Sequence, residues 1–448
     1  MTRISARRRD GIIRALRNGT VPEEGLDQLA VGLDRFLPAL DEELTAVQSG
    51  NAVFKAVRGE YGSGKTFFTR HLADRARRLR MATAEVQVNE KETPLHKLET
   101  VYRRITETLR TASLPPSAFR AILDSWLFNV EQEAGQAHPD APLADAVDAL
   151  LEERLASVSK RNPVFAQALR GYHRAKLDQR HDVADGLAAW LSGQPQVAAS
   201  VKREAGIRGD IDHDGALSFL QGLLVVLRDA GHPGLLVVLD EVETLQRMRS
   251  DVRAKSLNGL RQLMDEVDSG RFPGLYLVVT GTPAFFTGRS GVSLLPPLAQ
   301  RLDVDFTTDA RFDNTRAVQI RLQGFTHDSL QEVGRRVRDL YGQGSANPDR
   351  IHAVVDDDYL ADLADAVAGA LGARTGVSPR LYLKKLVQDV LDRVEEHEDF
   401  DPRRHYAPTV SDAEMTEQER AVAGGARAGL PGAATQDPDD IELDLGQD

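Results

Sequence analysis

The chain has 448 residues, of which 41% are apolar and 28% charged, which is ordinary for a globular protein with room for about three domains. It contains no cysteine, which excludes disulfides, thiolate metal sites and cysteine catalysis and suits a reducing cytoplasm. The longest wholly apolar stretch in the middle of the chain, 235–239, is far too short to span a membrane, and the Arg-rich N-terminus is followed by no apolar segment typical of a secretory signal. Membrane, secreted and zinc-finger classes are therefore excluded, and a cytoplasmic location is expected.

Charge is distributed unevenly along the chain. The net charge is −12, and residues 411–448 hold ten acidic side chains against two arginines, a net of −8. This end is rich in glycine and proline and has no helical apolar period, so residues 407–448 are predicted to be a disordered acidic tail. The opposite end is basic, with Asp10 alone among six arginines: Arg3, Arg7, Arg8, Arg9, Arg14 and Arg17. Such a basic head indicates either non-specific contact with DNA or a solvated end.

Helices are predicted before the first strand, over residues 1–50. The first runs from Ser5 to about Asn18. The second follows residues 31–35 and has apolar side chains at three-to-four spacing, the pattern of a helix packed on one face. These side chains are Phe36, Leu37, Leu40, Leu44 and Val47.

Short apolar strands alternate with amphipathic helices between residues 51 and 310. The predicted strands are 53–57, 84–88, 235–239 and 275–279, and the predicted helices are 65–78, 98–109, 216–228 and 254–267. The aliphatic run 235–239 is typical of a central strand that is buried on both faces. This alternation predicts an α/β fold with a parallel sheet flanked by helices. Residues 112–215, which are helical but broken by proline and glycine, are predicted to form a helical insertion.

The chain becomes mostly helical from residue 311 to residue 406. Helices are predicted at 328–341, 357–371 and 379–396. We therefore expect a second, all-α domain at 311–406.

A phosphate-binding motif lies between the predicted strand 53–57 and the predicted helix 65–78. It matches G-x-x-x-x-G-K-[ST] without a mismatch, in the context that the motif requires. The residues are Gly59, Glu60, Tyr61, Gly62, Ser63, Gly64, Lys65 and Thr66. Glycines let backbone N–H groups surround a phosphate, and the start of the helix adds positive potential. Lys65 would supply charge to the β- and γ-phosphates, and the Thr66 hydroxyl would ligate Mg²⁺.

Paired carboxylates follow the aliphatic strand 235–239. Asp240, at the carboxyl end of the strand, is predicted to hold the Mg²⁺ shell, and Glu241 to orient and polarise the attacking water. Glu243, a little further along the chain, is expected near this pair with a mostly structural role. The sequence thus predicts ATP hydrolysis, in addition to nucleotide binding.

Further polar residues fit a nucleotide-dependent switch. Thr282, preferred over Thr280, follows the strand 275–279 and would sense the γ-phosphate or the water, although such threonines are also common in turns. Arg301 is predicted either to reach a neighbouring subunit as an arginine finger or to form a surface ion pair. Arg380, near the start of the helix 379–396, is predicted either to reach the nucleotide from the helical domain or to form an ordinary surface ion pair.

Five short strings carry a resemblance to a known family. They are V-G-L-D-R at 31–35, R-G-E-Y-G-S-G-K-T at 58–66, D-E-V-E-T-L at 240–245, G-T-P at 281–283 and S-P-R at 378–380. Over about residues 12–406, the chain resembles the ATP-binding proteins of BREX phage-exclusion systems. More broadly, it is similar to AAA+ ATPases of the origin-recognition and helicase-loader type.

The resemblance implies an AAA+ P-loop core with an all-α lid, ATP and Mg²⁺ as ligands, homo-oligomerisation and a place in a bacterial anti-phage defence operon. Too few residues follow His405 for the winged-helix domain of origin-recognition relatives, so sequence-specific DNA binding is not expected. The implied site positions are Lys65 and Thr66 for phosphate, Asp240 and Glu241 for Mg²⁺ and water, Thr282 for the first sensor, Arg301 for the finger, Arg380 for the lid sensor, and Gly32 to Arg35 for the adenine side.

Two functions remain open on the sequence. The first is an ATPase whose nucleotide state controls assembly on DNA or on a partner helicase, nuclease or methyltransferase. The second is an ATP-bound scaffold without turnover, in which the insertion 112–215 docks partner proteins. A small-molecule kinase is disfavoured, because the acidic pair after the strand favours water as the nucleophile.

Overall fold

The computed structural model describes residues 4–160, 163–371 and 379–411, together with residues 414 and 420. The chain divides into two units, which we describe separately. The sheet unit comprises residues 26–60 and 64–323, and the helical unit comprises the described residues within 1–25, 61–63 and 324–448.

Helices make up most of the described chain. In chain order the α-helices are α1 (Ala6–Arg17), α2 (Leu37–Gln48), α3 (Lys65–Arg78), α4 (Leu98–Thr108), α5 (Phe119–Ala137), α6 (Leu143–Arg154), α7 (Ala156–Ser159), α8 (Val164–Leu177), α9 (His181–Leu191), α10 (Ala199–Glu204), α11 (His213–Asp229), α12 (Ser250–Asp268), α13 (Pro283–Thr287), α14 (Pro296–Leu302), α15 (His327–Gly342), α16 (Pro348–Val354), α17 (Asp357–Leu371), α18 (Pro379–Lys384), α19 (Asp392–Glu396) and α20 (Pro402–His405). Short 3₁₀ turns occur at Leu26–Gln28, Val242–Arg247, Val292–Leu294 and Ala310–Phe312, and Lys385–Leu391 is a π-helix.

A five-stranded sheet with parallel pairing forms the centre of the sheet unit. The strands are β1 (Val53–Arg58), β2 (Ala82–Gln87), β3 (Leu235–Asp240), β4 (Leu275–Gly281) and β5 (Gln319–Arg321), in the spatial order β2-β3-β4-β1-β5. The parallel α/β prediction is confirmed, and β1 to β4 lie where the apolar runs predicted them. Because all strands point the same way, the segments after β1, β3 and β4 leave the same edge of the sheet.

Both faces of the sheet are covered by apolar side chains, as the uninterrupted aliphatic sequence of β3 predicts. Leu236 and Val238 point into a cluster with Leu40 of α2 and Phe68 of α3. Their strand neighbours, including Val237, point into the larger cluster on the other face. Every residue of β3 and β4 is buried, which explains why neither strand shows polar alternation.

The segment predicted as a helical insertion forms α5 to α10 and shares the larger apolar cluster with the sheet. Tyr102 of α4 donates its hydroxyl to the carbonyl of Leu191 in α9 at 2.8 Å. The Trp190 ring packs edge-on against Phe219 of α11, with 5.2 Å between centroids. These contacts attach the segment to the two helices, α4 and α11, that precede and follow it.

The short strand β5 corrects the prediction of a helical domain that begins at residue 311. Residues 311–323 belong to the sheet unit, because β5 pairs with β1 with Arg321 opposite Arg58. The buried Gln319 side chain donates to the carbonyl of Leu302 at 2.6 Å. A three-residue strand containing Gln319 and Arg321 has no apolar run that would predict it.

The helical unit contains α1 as well as α15 to α20. Ser5 caps α1, and the helix buries Ile12, Ile13 and Leu16. Arg17, at its end, donates to Asp392 at 2.6 Å. These contacts place α1 in the helical unit, whereas α2 packs on the sheet, so the two predicted N-terminal helices do not form one region.

The helix predicted over 379–396 is interrupted by the π-helix between α18 and α19. Lys385, 3% exposed, starts this segment and lies 2.9 Å from Glu414 and 3.6 Å from Asp389. Apart from residues 407–411, 414 and 420, the predicted acidic tail lies outside the described residues, as do Arg3 and Ser378. Within the described ranges, no helix has both the length and the apolar content needed to cross a membrane.

Candidate active site

Residues 59–66, the predicted phosphate loop, lie between β1 and the first turn of α3, in the strand–helix context that the sequence predicts. Gly62 and Gly64 have φ angles of +78° and +86°, in the left-handed region that glycine enters without strain. Gly64 immediately precedes α3, whose first N–H groups have no carbonyl partner within the helix. Ser63 Oγ is buried and has no hydrogen-bond partner among the described residues. Two left-handed glycines, the start of a helix and the buried Ser63 hydroxyl are features that fit a polyphosphate at this loop.

Lys65 lies within the loop and is 8% exposed. Its Nζ donates to the carbonyls of Gly59 at 2.8 Å and Glu60 at 3.3 Å. Burial lowers the pKa of Lys65, and Glu243 is the strongest of the neighbouring carboxylates that oppose this effect. The ammonium group is therefore already inside the phosphate loop, where a phosphate would meet it.

The two predicted metal ligands come together although they are 174 residues apart in the chain. Thr66 Oγ1, at the start of α3, donates to Asp240 Oδ2, at the end of β3, at 3.2 Å. No group of three or more His, Asp or Glu residues in the described ranges forms a candidate metal cage. One carboxylate and one hydroxyl beside a phosphate loop fit Mg²⁺, which usually takes its other ligands from water and substrate phosphates.

Thr280 also contacts Asp240, which the sequence analysis did not predict. Its hydroxyl donates to Asp240 Oδ1 and accepts the N–H of Glu241 at 3.2 Å. The preferred residue, Thr282, lies at the N-cap of α13, and its side chain makes no capping hydrogen bond. Thr280 lies within β4, whereas Thr282 follows the strand, and the G-T-P string does not show where the strand ends.

Glu241 adopts a left-handed backbone conformation with φ of +61°. Its carboxylate accepts a hydrogen bond from Gln87 Nε2 at 3.0 Å. Gln87 is the last residue of β2 and lies opposite Asp240 in the strand register. This register places the Gln87 side chain close to that of Glu241, the residue after Asp240. Gln87 was not among the predicted site residues, and its only signal in the sequence is its position near the end of the predicted strand 84–88.

Glu243 lies close to Lys65 of the predicted phosphate loop. It is 5% exposed, and its Oε1 lies 4.0 Å from Lys65 Nζ. Neither carboxylate oxygen has a hydrogen-bond partner in the described part of the chain. Burial raises the pKa of Glu243 to about 7, and the charge of Lys65 acts in the opposite direction. The 3₁₀ turn that follows Glu241 brings this third acidic residue into the site.

Arg301 forms ion pairs with α12. Its guanidinium contacts Asp265 and lies 3.3 Å from Asp268, and the side chain is 40% exposed. Within one chain, the structure therefore shows the surface ion pair that the sequence analysis kept as the alternative to an arginine finger.

Arg35, predicted on the adenine side, donates to the carbonyls of Ala310 and, at 3.1 Å, of Arg321. Gly32 is exposed, with a φ of +73°. Arg380 lies in the helical unit, where its Nη2 donates to the carbonyl of Glu414 at 2.8 Å. Within the sheet unit, the structure brings Lys65, Thr66, Asp240 and Glu241 to one edge of the sheet, and it gives Arg35 a backbone contact elsewhere in the same unit.

One comparison with known proteins identifies a family. The model of the family described as BREX system ATP-binding protein BrxC/D matches residues 4–410. No curated protein matches the chain. The match includes the phosphate loop, the carboxylates after β3 and most of the helical unit. The chain therefore belongs to the family of BREX system ATP-binding proteins BrxC/D.

Proposed function

We propose that this protein is an Mg²⁺-dependent AAA+ ATPase that acts as a nucleotide-controlled switch in a bacterial anti-phage system. The observation that carries the proposal is the 3.2 Å contact between Thr66 and Asp240, beside the buried ammonium of Lys65. A phosphate loop alone would support binding only, whereas a carboxylate next to its threonine supplies the second element that hydrolysis requires. Membership of an ATP-binding BREX family agrees with this function.

Each residue of the site has a proposed task. Loop amides and Lys65 bind the phosphates, and Thr66 and Asp240 hold the metal shell. Mg²⁺, when bound, would neutralise charge on the phosphate oxygens. Glu241 orients the attacking water. For this task, the Glu241 carboxylate must first break its hydrogen bond with Gln87. Thr280 holds Asp240 and the backbone of Glu241 in place, so we assign it the position that the sequence analysis gave to Thr282.

The helical unit is the proposed lid. In this proposal, ATP binding closes the lid through Arg380, and hydrolysis reopens it. Arg301 would leave Asp265 to reach a neighbouring subunit of a homo-oligomer, because a guanidinium stabilises charge on the transferred phosphoryl group. The nucleotide state would thereby control assembly in the cytoplasm on a helicase, nuclease or methyltransferase of the same operon.

DNA is a further proposed partner through the basic head. Arg7 and Arg14 are exposed on α1, whereas Arg9 and Arg17 are engaged with other residues of the helical unit. Binding to phosphates would weaken steeply as the salt concentration rises. A salt titration of DNA binding by the wild-type protein and by Arg7→Ala/Arg14→Ala tests this contact.

Phosphate release measured with ATP and Mg²⁺, with and without DNA, tests the main proposal. We expect turnover in the wild-type protein, no nucleotide binding by Lys65→Ala, and binding without hydrolysis by Glu241→Gln. Normal turnover by Glu241→Gln would show that another group orients the water.

One observation favours the second candidate, a scaffold that binds ATP without turnover. The Glu241 carboxylate is bonded to Gln87 and is therefore directed to β2 in this conformation. In the scaffold, this contact persists and the surface of α5 to α10 docks partner proteins. Sustained phosphate release by the wild-type protein would rule the scaffold out.

A further inference from the structure

Glu243 is a buried acidic residue that the proposed hydrolysis does not use. Its carboxylate is directed at the phosphate loop, with Oε1 4.0 Å from Lys65 Nζ, and both of its oxygens lack hydrogen-bond partners among the described residues. Burying a carboxylate with neither a hydrogen bond nor a cation is strongly unfavourable. The nearby ammonium is therefore the group that makes this position tolerable.

The two acidic residues at the end of β3 are already engaged in hydrogen bonds. Asp240 accepts hydrogen bonds from Thr66 and Thr280, and Glu241 accepts one from Gln87. Lys65 itself donates to two loop carbonyls, which are neutral and do not compensate its charge. Glu243 is thus the acidic side chain best placed to balance the charge of Lys65 before a nucleotide arrives.

We propose that Glu243 is the counter-ion of Lys65: it holds the lysine inside the phosphate loop when no nucleotide is bound, and it limits how tightly the loop binds nucleotide. This inference rests on the proposed function, because it assumes that Lys65 binds phosphate. Glu243 is a positioning residue in this account, since it acts through Lys65.

The consequence for affinity follows from charge. Any phosphate that reaches Lys65 Nζ also comes within electrostatic range of Glu243, a second negative charge with little water in between. Removing that charge while keeping the shape, as in Glu243→Gln, should strengthen binding of both ATP and ADP about tenfold. A residue that only fills space would not produce this gain.

The first experiment uses the full chain without nucleotide. Urea unfolding is measured for the wild-type protein, Lys65→Met, Glu243→Gln and the double variant. Lys65→Met leaves the carboxylate buried without a cation and should lower the urea midpoint, and adding Glu243→Gln should restore most of the loss. The matched control adds Glu241→Gln to Lys65→Met and should restore little, because Glu241 contacts Gln87.

The second experiment titrates ATP and ADP by calorimetry at pH 8, where the Glu243 carboxylate is ionised. Glu243→Gln should bind both nucleotides about tenfold more tightly, and Glu243→Asp, which keeps the charge, should stay within about twofold of the wild type. Absence of rescue in the double variant, or failure of Glu243→Gln to fold while Lys65→Met folds, would overturn the proposal. So would unchanged or weaker affinity of Glu243→Gln. If the wild-type protein binds no nucleotide, the proposed function fails, and the unfolding cycle still decides whether the two residues are paired.

Discussion

Replacing Thr280 with valine removes one hydroxyl from the centre of the site and changes the shape of the side chain little. In the structure this fully buried hydroxyl donates to Asp240 Oδ1 and accepts the N–H of Glu241 at 3.2 Å. A hydrogen bond to a charged group contributes about 1.5–3 kcal/mol to stability. We therefore expect Thr280→Val to lower the free energy of unfolding by about this amount.

The same hydrogen bond should matter for turnover. If Thr280 holds Asp240 and the Glu241 backbone in the geometry needed for hydrolysis, loss of about 1.5–3 kcal/mol of positioning corresponds to a fall in kcat of about tenfold to a hundredfold. Urea unfolding and phosphate release at saturating ATP and Mg²⁺ measure the two effects on the same preparation.

Thr282→Val is the matched control, because Thr282 is buried to a similar extent but makes no capping hydrogen bond. It should change the free energy of unfolding by less than about 1 kcal/mol and kcat by less than about threefold. A larger loss of turnover in Thr282→Val than in Thr280→Val would refute our assignment and restore the one made from sequence.

Three further outcomes are expected. Lys55 is 1% exposed, and its Nζ lies 2.5 Å from Glu43 Oε1. Lys55→Met should therefore lower the free energy of unfolding by about 3–5 kcal/mol in urea titrations. A loss below about 1 kcal/mol would contradict a stabilising ion pair at this position. Arg35→Ala removes two hydrogen bonds to backbone carbonyls and should lower the free energy of unfolding by about 1–3 kcal/mol. The affinity for ATP should change less than about threefold. An unchanged free energy of unfolding with a large loss of affinity would indicate an adenine contact instead. His71 lies beside Asp27, and burial lowers the pKa of its imidazole from the ordinary 6.5. Just below pH 6.5, the unfolded chain therefore binds a proton at this residue that the native chain does not bind. Thermal stability should therefore fall as the pH decreases through this range, less steeply in His71→Gln, and equal slopes in the two proteins would exclude His71 as a cause.

Local patterns in the sequence predicted most of the framework. The helix 65–78 matches α3 at both ends, and the runs at 53–57 and 235–239 became β1 and β3. The phosphate-binding motif at 59–66 can be recognised in the sequence because it consists of glycines, a lysine and a threonine within one short segment. Likewise, an aliphatic strand followed at once by Asp240 gives the position of the carboxylate along the strand.

Other features depend on residues that are distant in the chain. The strand β5 exists because Gln319 and Arg321 meet the edge of β1, and its own three residues carry no apolar signal. Arg35 was predicted at a nucleotide, yet its contacts are carbonyls of Ala310 and Arg321 that no local pattern links to it.

The sequence by itself therefore determined which backbone segments carry the glycine-rich motif and which end in carboxylates, since these properties follow from residue type and spacing over fewer than about ten positions. Only the tertiary structure decided which side chains meet there. Thr280, Gln87 and Glu243 enter the site because parallel strands end at one edge and a 3₁₀ turn redirects the chain after Glu241. Strand register and the direction of a turn are set by the packing of the whole sheet unit. Hydrogen bonds and ion pairs between distant residues form only where that packing brings their polar groups together.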